Sequence, residues 1–241
     1  MPKNEPILLS VVMPVYNEEE AIVLAIDEVR REVLDRIPAS ELVVVDDGSR
    51  DRTGSLLDQA SAADTRVRVI HQQNRGHGGA LIAGIESAHG DRLFLIDSDR
   101  QIPLGDFMTA WSHMLGGGDG VFGVRRSRQD PALRLYLSRL IQSAVASLFA
   151  VRLLDANVPY KLIRREIWKD ARQCIPDGTL APSLFLAIFA TKRNYKILQL
   201  EVRHNRRHTG QVSIRRFKLF KFCAKGFSQM LAFRRCVLRA R

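Results

Sequence analysis

Cysteine is scarce in this sequence, which contains only Cys174, Cys223 and Cys236 among its 241 residues. Their number is odd and their spacing fits no zinc-ligand pattern. We therefore expect no metal- or disulfide-stapled scaffold, and a reducing compartment is favoured. No G-K-[ST] triplet occurs either, which excludes a Walker A phosphate-binding loop.

Long apolar segments are also lacking. The longest charge-free stretches, residues 140–151 and 178–191, are shorter than the roughly 18 to 20 residues that a membrane-spanning helix needs. The apolar run at residues 7–15 has no charged leader and is too short for a signal peptide, so we interpret it as a strand. The sequence therefore predicts a protein that is neither exported nor membrane-spanning.

Acidic residues are missing from the C-terminal part of the chain. Residues 203–241 contain twelve Lys/Arg and no Asp/Glu, whereas residues 1–202 hold 25 basic against 26 acidic residues, so the formal charge of +11 belongs to the C-terminus. From residue 215 onward, Phe and Leu are interspersed with the basic residues, a pattern typical of an amphipathic helix on an anionic membrane surface. We predict a membrane-associating tail at 214–241. The alternative is a helix that packs on the domain or on a second subunit.

The remainder of the chain has the rhythm of an α/β domain. Four short apolar or β-branched runs alternate with helical patterns, which indicates a parallel sheet. A further helix is predicted at 106–115, a strand at 120–124, a helix at 132–149 and a strand at 196–202. With 46% apolar residues, the chain can bury one sizeable core, which we assign to residues 1–213. The four initial strands are predicted at 8–13, 42–46, 67–71 and 92–96.

Polar clusters follow three of these strands. Ligands of open parallel sheets bind beyond the carboxyl ends of the strands. Each cluster by itself is ordinary turn chemistry, but their shared position at strand ends indicates a site. The clusters are Pro14-Val15-Tyr16-Asn17-Glu18, Asp46-Asp47-Gly48-Ser49 and Asp97-Ser98-Asp99-Arg100-Gln101.

The third cluster has the composition of a metal site. Asp97 and Asp99 can converge on a hard cation, Gln101 can supply a further oxygen, and substrate phosphates can complete the shell, so Mg²⁺ or Mn²⁺ is the expected occupant. A dinucleotide-binding loop is rejected, because the glycine cluster at 76–79 lacks the third glycine of G-x-G-x-x-G and follows the third strand rather than the first.

These clusters, taken in order with Asn74-Arg75-Gly76-His77-Gly78-Gly79-Ala80, resemble the family 2 glycosyltransferases, and in particular the branch that includes dolichyl-phosphate mannosyltransferase. The resemblance covers about residues 7–213. It implies a GT-A (nucleotide-diphospho-sugar transferase) fold, with a mostly parallel central sheet flanked by helices. It also implies a base and ribose site at Pro14, Tyr16, Glu18, Val45 and Asp47, and a diphosphate and metal site at Asp97, Ser98, Asp99 and Gln101.

The same resemblance implies a second phosphate site for the acceptor. Gly123-Val124-Arg125 matches a G-x-R pattern, and Arg139 with Ser143 matches R-x-x-x-S. In that branch the arginines of both patterns bind the acceptor phosphate. Arg207 matches a late arginine that contacts donor phosphates. The chain departs from the family at Pro159-Tyr160-Lys161, where Gly-Phe-Arg is usual, and after Gly210, where one residue is added to the usual G-x-S-K and its lysine is missing. Both departures put the details of acceptor binding and donor closure in question.

The expected activity is therefore metal-dependent, inverting transfer of a hexose from GDP-mannose or a UDP-sugar to a polyprenyl (dolichyl or undecaprenyl) phosphate. Asp97, Asp99, Arg125 and Arg139 would carry the catalysis. An acceptor phosphate oxygen is already anionic, so no strong base is required. The expected location is the cytoplasmic face of a membrane, with peripheral attachment and with a homo-oligomer or a membrane-protein partner left open.

Three other interpretations stay open at this point. The same donor could serve a saccharide or other hydroxyl acceptor. The pI of about 10.1 would permit a nucleic-acid-binding module, although no nucleic-acid motif occurs and the strand-end carboxylates would repel phosphate without a metal. A non-catalytic scaffold is the third, and the intact Asp97, Asp99 and Gln101 argue against it.

Overall fold

A computed structural model describes residues 6–125, 132–155, 158–205 and 216–239. In chain order the strands are β1 (Leu9–Val15), β2 (Ser40–Asp46), β3 (Val67–His71), β4 (Arg92–Ile96), β5 (Gly120–Arg125), β6 (Tyr160–Arg164) and β7 (Ile197–Val202). The helices are α1 (Ile22–Val29), α2 (Thr53–Ala63), α3 (Gly76–Ser87), α4 (Phe107–Leu115), α5 (Ala132–Phe149), α6 (Arg165–Arg172), α7 (Pro182–Lys192) and α8 (Arg216–Arg239). A π-helical turn, Arg30–Leu34, extends α1, and a short 3-10 turn, Leu104–Asp106, precedes α4.

The strands form one sheet in the order β3-β2-β1-β4-β6-β5-β7. Strand β6 is antiparallel to both of its neighbours, and the other pairs are parallel. Six strands therefore end at the same edge of the sheet, and β6 begins there, with Tyr160 paired to Ile96 at the end of β4. This edge is where the polar clusters of the sequence meet.

Helices cover both faces of the sheet, which explains why β1 and β2 are buried along their whole length. One apolar core packs α3, α5, α6, α7 and α8 against one face, and the other packs α1, α2 and α4 against the opposite face. Helix α3 lies very close to the sheet, because a Cβ atom on Gly84 would approach Val12 Cγ1 to 2.5 Å and Val45 Cγ2 to 3.0 Å. The lack of a side chain at Gly84 thus allows α3, which borders the site, to pack this close to the sheet.

The predicted α/β architecture is confirmed, with the first four strands, the helices at 106–115 and 132–149 and the strands at 120–124 and 196–202 in place. No helix or strand was predicted from the sequence for residues 159–192. There the structure has β6, α6 and α7, and the missed strand is the one that reverses direction. Helix α7 was not predicted because it is buried almost all round. It therefore has no polar face, and its sequence lacks the helical periodicity of apolar and polar residues.

The C-terminal half of α8 packs on the domain. Met230, Phe233 and Val237 lie in the core, and the Phe233 ring sits 4.7 Å from that of Phe185, centroid to centroid. This is the packing that the sequence left open as the alternative to a membrane-bound tail. The predicted boundary between the domain and the tail, at residues 213/214, therefore divides residues that pack in one core. Among the described residues, no helix is both long and apolar enough to cross a membrane.

One expectation about cysteine was wrong. The structure joins Cys174, just after α6, to Cys236 in α8 through a disulfide. The two positions are 62 residues apart, so sequence spacing gave no sign of the pairing. The bridge fastens the end of α8 to the rest of the domain.

Candidate functional site

A cleft of about 780 Å³ opens at the carboxyl edge of the sheet. Its size falls in the range of pockets that hold small molecules or nucleotides. Three strand ends and the start of α3 contribute to its walls. The lining residues are Pro14, Val15, Tyr16, Glu18, Asp47, Gly48, Arg50, Asn74, Gly76, His77, Ala80, Asp97, Ser98 and Asp99.

The loops after β1 and β2 are tied together by hydrogen bonds. Asn17 N–H donates to Ser49 Oγ at 3.0 Å, and Arg50 N–H donates back to Asn17 Oδ1 at 2.8 Å. Glu18 N–H donates to Thr53 Oγ1 at 2.9 Å. Asn17 adopts a left-handed backbone with φ of 52°, which asparagine tolerates better than most residues. One wall of the cleft is thus built before any ligand arrives.

Asp47 is held in place through one of its two carboxylate oxygens. Gln72 Nε2 and Arg75 N–H both donate to Oδ1 at 2.7 Å. Within the described part of the chain, Oδ2 has no hydrogen-bond partner, although Asp47 is only 3% exposed and lines the cleft. Because Asp47 lines the cleft, this second oxygen can accept an N–H of a ligand. Tyr16 lies on the same wall, 40% exposed, and offers a ring for stacking.

The neighbouring Asp46 has a structural role. Its Oδ1 accepts Ser49 N–H at 2.9 Å, which closes the turn, and its Oδ2 contacts His71 Nδ1 at 3.0 Å. The opposite ring nitrogen of His71 contacts Asp58 at 2.9 Å. The bonds to Asp58 and then to Asp46 raise the pKa of His71, because both carboxylates favour the protonated ring. Of the two adjacent aspartates, only Asp47 faces the cleft.

The loop after β4 brings two carboxylates to the cleft. Asp97 Oδ1 lies 3.8 Å from His77 Nε2, and Asp99 Oδ1 accepts Gln101 N–H at 3.1 Å. Arg100, directly after Asp99, has a φ of 55°, a strained backbone conformation for an arginine that often marks functional loops. Ser98 is buried and also lines the cleft.

Gln101 is not among the residues that line the cleft. Its side-chain Nε2 donates to Asn205 O at 3.4 Å, and Asn205 N–H donates to Gln101 O at 2.8 Å. The loop after β4 is therefore fastened to the chain that follows β7. Arg207, the predicted donor-phosphate arginine, lies two residues further on and falls outside the described residues.

The donor set at this loop fits a divalent cation. Asp97 and Asp99 provide hard oxygen ligands from one loop, and Mg²⁺ in particular is bound by one or two carboxylates together with substrate phosphates. In the described residues there is no cluster of three or more His, Cys, Asp or Glu side chains suited to a metal. The protein alone therefore offers a partial shell.

Helix α3 points its N-terminus into the same cleft, with Gly76 and His77 among the lining residues. Gly76 has a φ of 76°, which glycine adopts without strain. In the described part of the chain no side chain caps this helix end, so its first N–H groups and the helix dipole favour an anion.

The predicted acceptor residues lie at the end of β5 and on α5. Arg125 ends β5, and its Nε and Nη2 donate to Asp155 at 2.6 and 2.9 Å in a buried pair. Ser143 is exposed on α5. Arg139 lies on the same helix, one turn before Ser143, and its side chain is outside the described residues. The sequence gave no sign that Asp155 would engage Arg125.

Most of the predicted donor residues meet in the cleft, with one difference. Val45 is fully buried in β2 and packs toward Gly84 of α3, so it supports the wall from behind. Among the lining residues, Arg50 belongs to none of the clusters quoted from the sequence, and Asn74 was quoted only as the first residue of the motif at 74–80. Both follow strand ends, so the strand-end rule that found Asp47 also applies to them.

A mostly parallel sheet with carboxylates at its carboxyl edge and a cleft of nucleotide size has the architecture of the GT-A-like glycosyltransferases. The chain matches the model of Glycosyl transferase family 2 over residues 10–181. It belongs to that family, and the resemblance found in its motifs is confirmed.

Two similar proteins carry the same name, undecaprenyl-phosphate 4-deoxy-4-formamido-L-arabinose transferase. The chain is 36% identical to that of Pseudomonas aeruginosa (strain LESB58) over 179 residues, which cover 73% of this chain and 53% of that protein. It is 32% identical to that of Shewanella sediminis (strain HAW-EB3) over 213 residues, which cover 84% and 60%. The chain thus spans between half and two thirds of the length of these relatives.

Among solved structures, the fold is similar to that of glucosyl-3-phosphoglycerate synthase from Mycobacterium tuberculosis in complex with Mn²⁺, uridine diphosphate and phosphoglyceric acid. The TM-score is 0.68 at 20% sequence identity, with 94% of this chain and 78% of that chain covered. At this identity the likeness shows the GT-A-like fold alone.

Proposed function

We propose that this chain is a sugar-transferring domain that takes a sugar from a nucleotide-diphosphate donor and places it on a polyprenyl phosphate. The observation that carries the proposal is the cleft in which the Asp47 carboxylate on one wall and the Asp97 and Asp99 carboxylates on another line the same space. The relatives' name, undecaprenyl-phosphate 4-deoxy-4-formamido-L-arabinose transferase, supports the acceptor class.

In this proposal the nucleotide base lies at Asp47 and Tyr16. The Oδ2 atom of Asp47 accepts an N–H of the base, and the Tyr16 ring packs against its face. Uracil and guanine both present suitable N–H groups, so either UDP- or GDP-sugars satisfy the contact. The bonds that fix Oδ1 keep Oδ2 oriented without a cost at the time of binding.

The donor diphosphate lies between the start of α3 and the loop of Asp97 and Asp99. These two carboxylates would hold Mg²⁺ or Mn²⁺, which supplies positive charge to the diphosphate as the sugar leaves. His77, 3.8 Å from Asp97, and the first N–H groups of α3 add donors on the opposite side. Gln101 would contribute its side-chain amide oxygen to the same ion.

The acceptor phosphate lies on the Arg125 side. One of its anionic oxygens attacks the anomeric carbon with its own electron pair, and the bond from that carbon to the donor diphosphate breaks, with the bonding pair leaving on the diphosphate. No proton has to be removed, so the step needs no general base. The attack from the face opposite the leaving group inverts the anomeric centre, and Arg125, Arg139 and Ser143 orient the nucleophile.

A thermal-shift panel tests the donor half. UDP, GDP and their sugars are added with and without Mn²⁺, because ligand that binds the folded state raises the apparent Tm. We expect one nucleotide series to raise Tm in a Mn²⁺-dependent manner, and the effect to vanish in Asp97→Asn and Asp99→Asn. Asp27→Asn, an exposed carboxylate on α1, is the matched control. No shift with any nucleotide would contradict the proposal.

A transfer assay tests the acceptor half. The donor found in the panel is used with a radiolabelled sugar, and undecaprenyl phosphate, dolichyl phosphate and soluble saccharides are compared as acceptors. We expect label to enter the organic phase with a polyprenyl phosphate. Label that enters only soluble products would assign a hydroxyl acceptor instead.

We also propose that the exposed face of α8 contacts an anionic membrane surface. Phe227, Leu231 and Leu238 are 49%, 37% and 51% exposed and share one face at helical spacing. Arg235 and Arg239 are exposed beside them, and each basic residue near an anionic surface contributes on the order of 1 kcal/mol.

Removal of the tail is a poor test of this contact, since it would also remove core residues. Point substitutions are cleaner. We expect Arg235→Glu with Arg239→Glu to weaken flotation with anionic vesicles, and Phe227→Ser with Leu231→Ser to do the same, while Tm stays within a few degrees. Equal flotation of wild type and both variants would refute the contact.

A further inference from the structure

The amide side chain of Gln229, on α8, is buried and bonds to the chain between α6 and α7. It is 8% exposed. Its Nε2 donates to Gly178 O at 3.1 Å, and its Oε1 accepts Leu180 N–H at 3.3 Å. A buried amide is costly unless its donor and its acceptor are both paired, and here both are. Gln229 therefore holds one short segment, residues 178–180, by its backbone.

This segment packs directly against the first turn of α3. A Cβ atom on Gly78 would clash with Thr179 O and would approach Pro182 Cδ to 3.1 Å, so the contact needs a glycine. Thr179 is itself 3% exposed. Gly78 directly follows His77, which lines the cleft. Residues 178–180 thus touch the turn of α3 that also borders the cleft.

The first turn of α3 is a weak helix start by composition. Three of its four residues are Gly76, Gly78 and Gly79, and glycine disfavours a helix because it loses the most backbone freedom on folding. In the described part of the chain no side chain caps this end. Its first N–H groups can bind an anion only while the turn stays helical. The packing of residues 178–180 on Gly78 is a contact that can keep it so.

We infer that Gln229 is a positioning residue for the donor diphosphate, and that it acts through residues 178–180 on the first turn of α3. The inference rests on the proposed function, in which that turn binds the diphosphate. An apolar residue would suffice if α8 only covered the core, as its neighbours Met230 and Phe233 do. The helix that the sequence assigned to a tail thereby takes part in the donor site.

The test measures binding of the diphosphate separately from binding of the base. Calorimetry gives the Kd of UDP or GDP with Mn²⁺, whichever the thermal-shift panel selects, and the Kd of the matching nucleoside. Gln229→Met removes both bonds at similar length, and Gln229→Glu keeps the acceptor but loses the donor. Arg234→Met is the matched control, because it removes a bond at 2.7 Å from α8 to Leu148 O of α5 rather than to residues 178–180.

We expect the Kd of the diphosphate to rise about three- to tenfold in both Gln229 variants, which is the size of an anion's interaction with a helix N-terminus. The Kd of the nucleoside should stay within about twofold, because the base is bound by Asp47 and Tyr16 at the loops after β1 and β2. The control should match the wild type for both ligands. The Tm without nucleotide reports whether each variant is folded.

A second variant disturbs the same contact from the α3 side. Gly78→Ala should also weaken the diphosphate, with Gly105→Ala, where a Cβ atom would meet nothing within 4 Å, as its control. If both residues act through residues 178–180, the double variant Gln229→Met with Gly78→Ala should lose less affinity than the product of the two single effects. Effects that multiply would show independent action and would overturn the inference.

Two further results would overturn it while the proposed function stands. One is wild-type affinity for the diphosphate in both Gln229 variants. The other is an equal loss for the diphosphate and the nucleoside, which would show a general loosening of the fold. If the wild-type protein binds no nucleoside diphosphate, the donor half of the proposed function fails and this inference fails with it.

Discussion

Asp155 accepts the Arg125 guanidinium through both of its oxygens, with Nε–Oδ2 at 2.6 Å and Nη2–Oδ1 at 2.9 Å. Both side chains are more than 90% buried. The strand that ends at Arg125 is thereby fastened to the segment that leads into β6. The two bonds hold the plane of the Arg125 guanidinium in one orientation.

Removal of one partner of this pair should be costly. We expect Asp155→Ala to lower the free energy of unfolding by about 3 to 5 kcal/mol, because it leaves a buried guanidinium without its counter-charge. The double variant Asp155→Leu with Arg125→Met should be more stable than Asp155→Ala, since neither charge remains. Urea denaturation measures both. A loss below about 1 kcal/mol in Asp155→Ala would show that the pair is not a stabilising contact.

Substitution of Asp47 should weaken nucleotide binding and have little effect on the stability of the fold. Asp47→Asn keeps an oxygen for Gln72 and Arg75 N–H but replaces Oδ2 with an N–H₂ group, which repels a base N–H. We expect nucleotide affinity to fall by about 10- to 100-fold, as for a charge-assisted hydrogen bond worth roughly 1.5 to 3 kcal/mol. Asp46→Asn at the neighbouring position is the comparison. It should lower Tm, because Asp46 bonds to Ser49 and His71, and it should leave nucleotide affinity close to that of the wild type. Equal affinity of Asp47→Asn and wild type would remove Asp47 from the site.

Asp64 provides a pH-dependent term in stability. Hydrogen bonds from the Arg66 side chain and N–H, together with the nearby Arg30, lower the pKa of Asp64 to about 2, against the opposing effect of burial. A carboxylate with a lowered folded-state pKa stabilises fully above its unfolded value near 3.8, and the contribution is lost as the pH falls toward 2.

We therefore expect wild type to exceed Asp64→Asn by roughly 1 to 2 kcal/mol at neutral pH, allowing for partial exposure, with the difference shrinking between pH 4 and pH 2. Asp35→Asn is the control, since Asp35 contacts the same Arg66 but is 59% exposed. Unfolding curves across the pH range measure both. A difference that does not change with pH would contradict the assignment.

The Cys174–Cys236 disulfide should stabilise the attachment of α8. A bridge over 62 residues restricts the unfolded chain, and such bridges typically contribute about 2 to 4 kcal/mol. We expect Cys236→Ser to lower Tm, reducing agent to bring the wild type down to the same Tm, and the variant to be insensitive to that agent. Identical melting of oxidised wild type and Cys236→Ser would argue against the bridge in solution.

Local sequence was sufficient for much of the fold. The runs at 67–71 and 92–96 coincide with β3 and β4, because strands buried on both faces are continuously apolar. The helix at 132–149 was also found from its pattern. Strand β6 was missed, since its direction and its place between β4 and β5 are set by pairing with residues about 40 to 70 positions earlier, which local periodicity does not record.

The proposed donor half of the site was similarly accessible from sequence. Asp47, Asp97 and Asp99 follow strands that end at one edge, so their convergence follows from topology. The acceptor half was less so. That Asp155 would bind Arg125 and that Lys161 would be buried depend on contacts between segments about 30 residues apart, and polar residues near an irregular stretch give no periodic signal.

The reversed strand β6 has a consequence for how such a domain can diversify. The chain leaves the sheet at Arg125, the cleft end of β5, and re-enters at Tyr160, which lies at the same edge because β6 runs backwards. The segment between these two points therefore starts and finishes at the edge of the sheet where the cleft opens, with both ends anchored in neighbouring strands. Its middle is constrained, because α5 packs in the core through Val145 and Phe149, but a change of length near either end need not shift the register of β1, β2 and β4, which carry the other walls of the cleft.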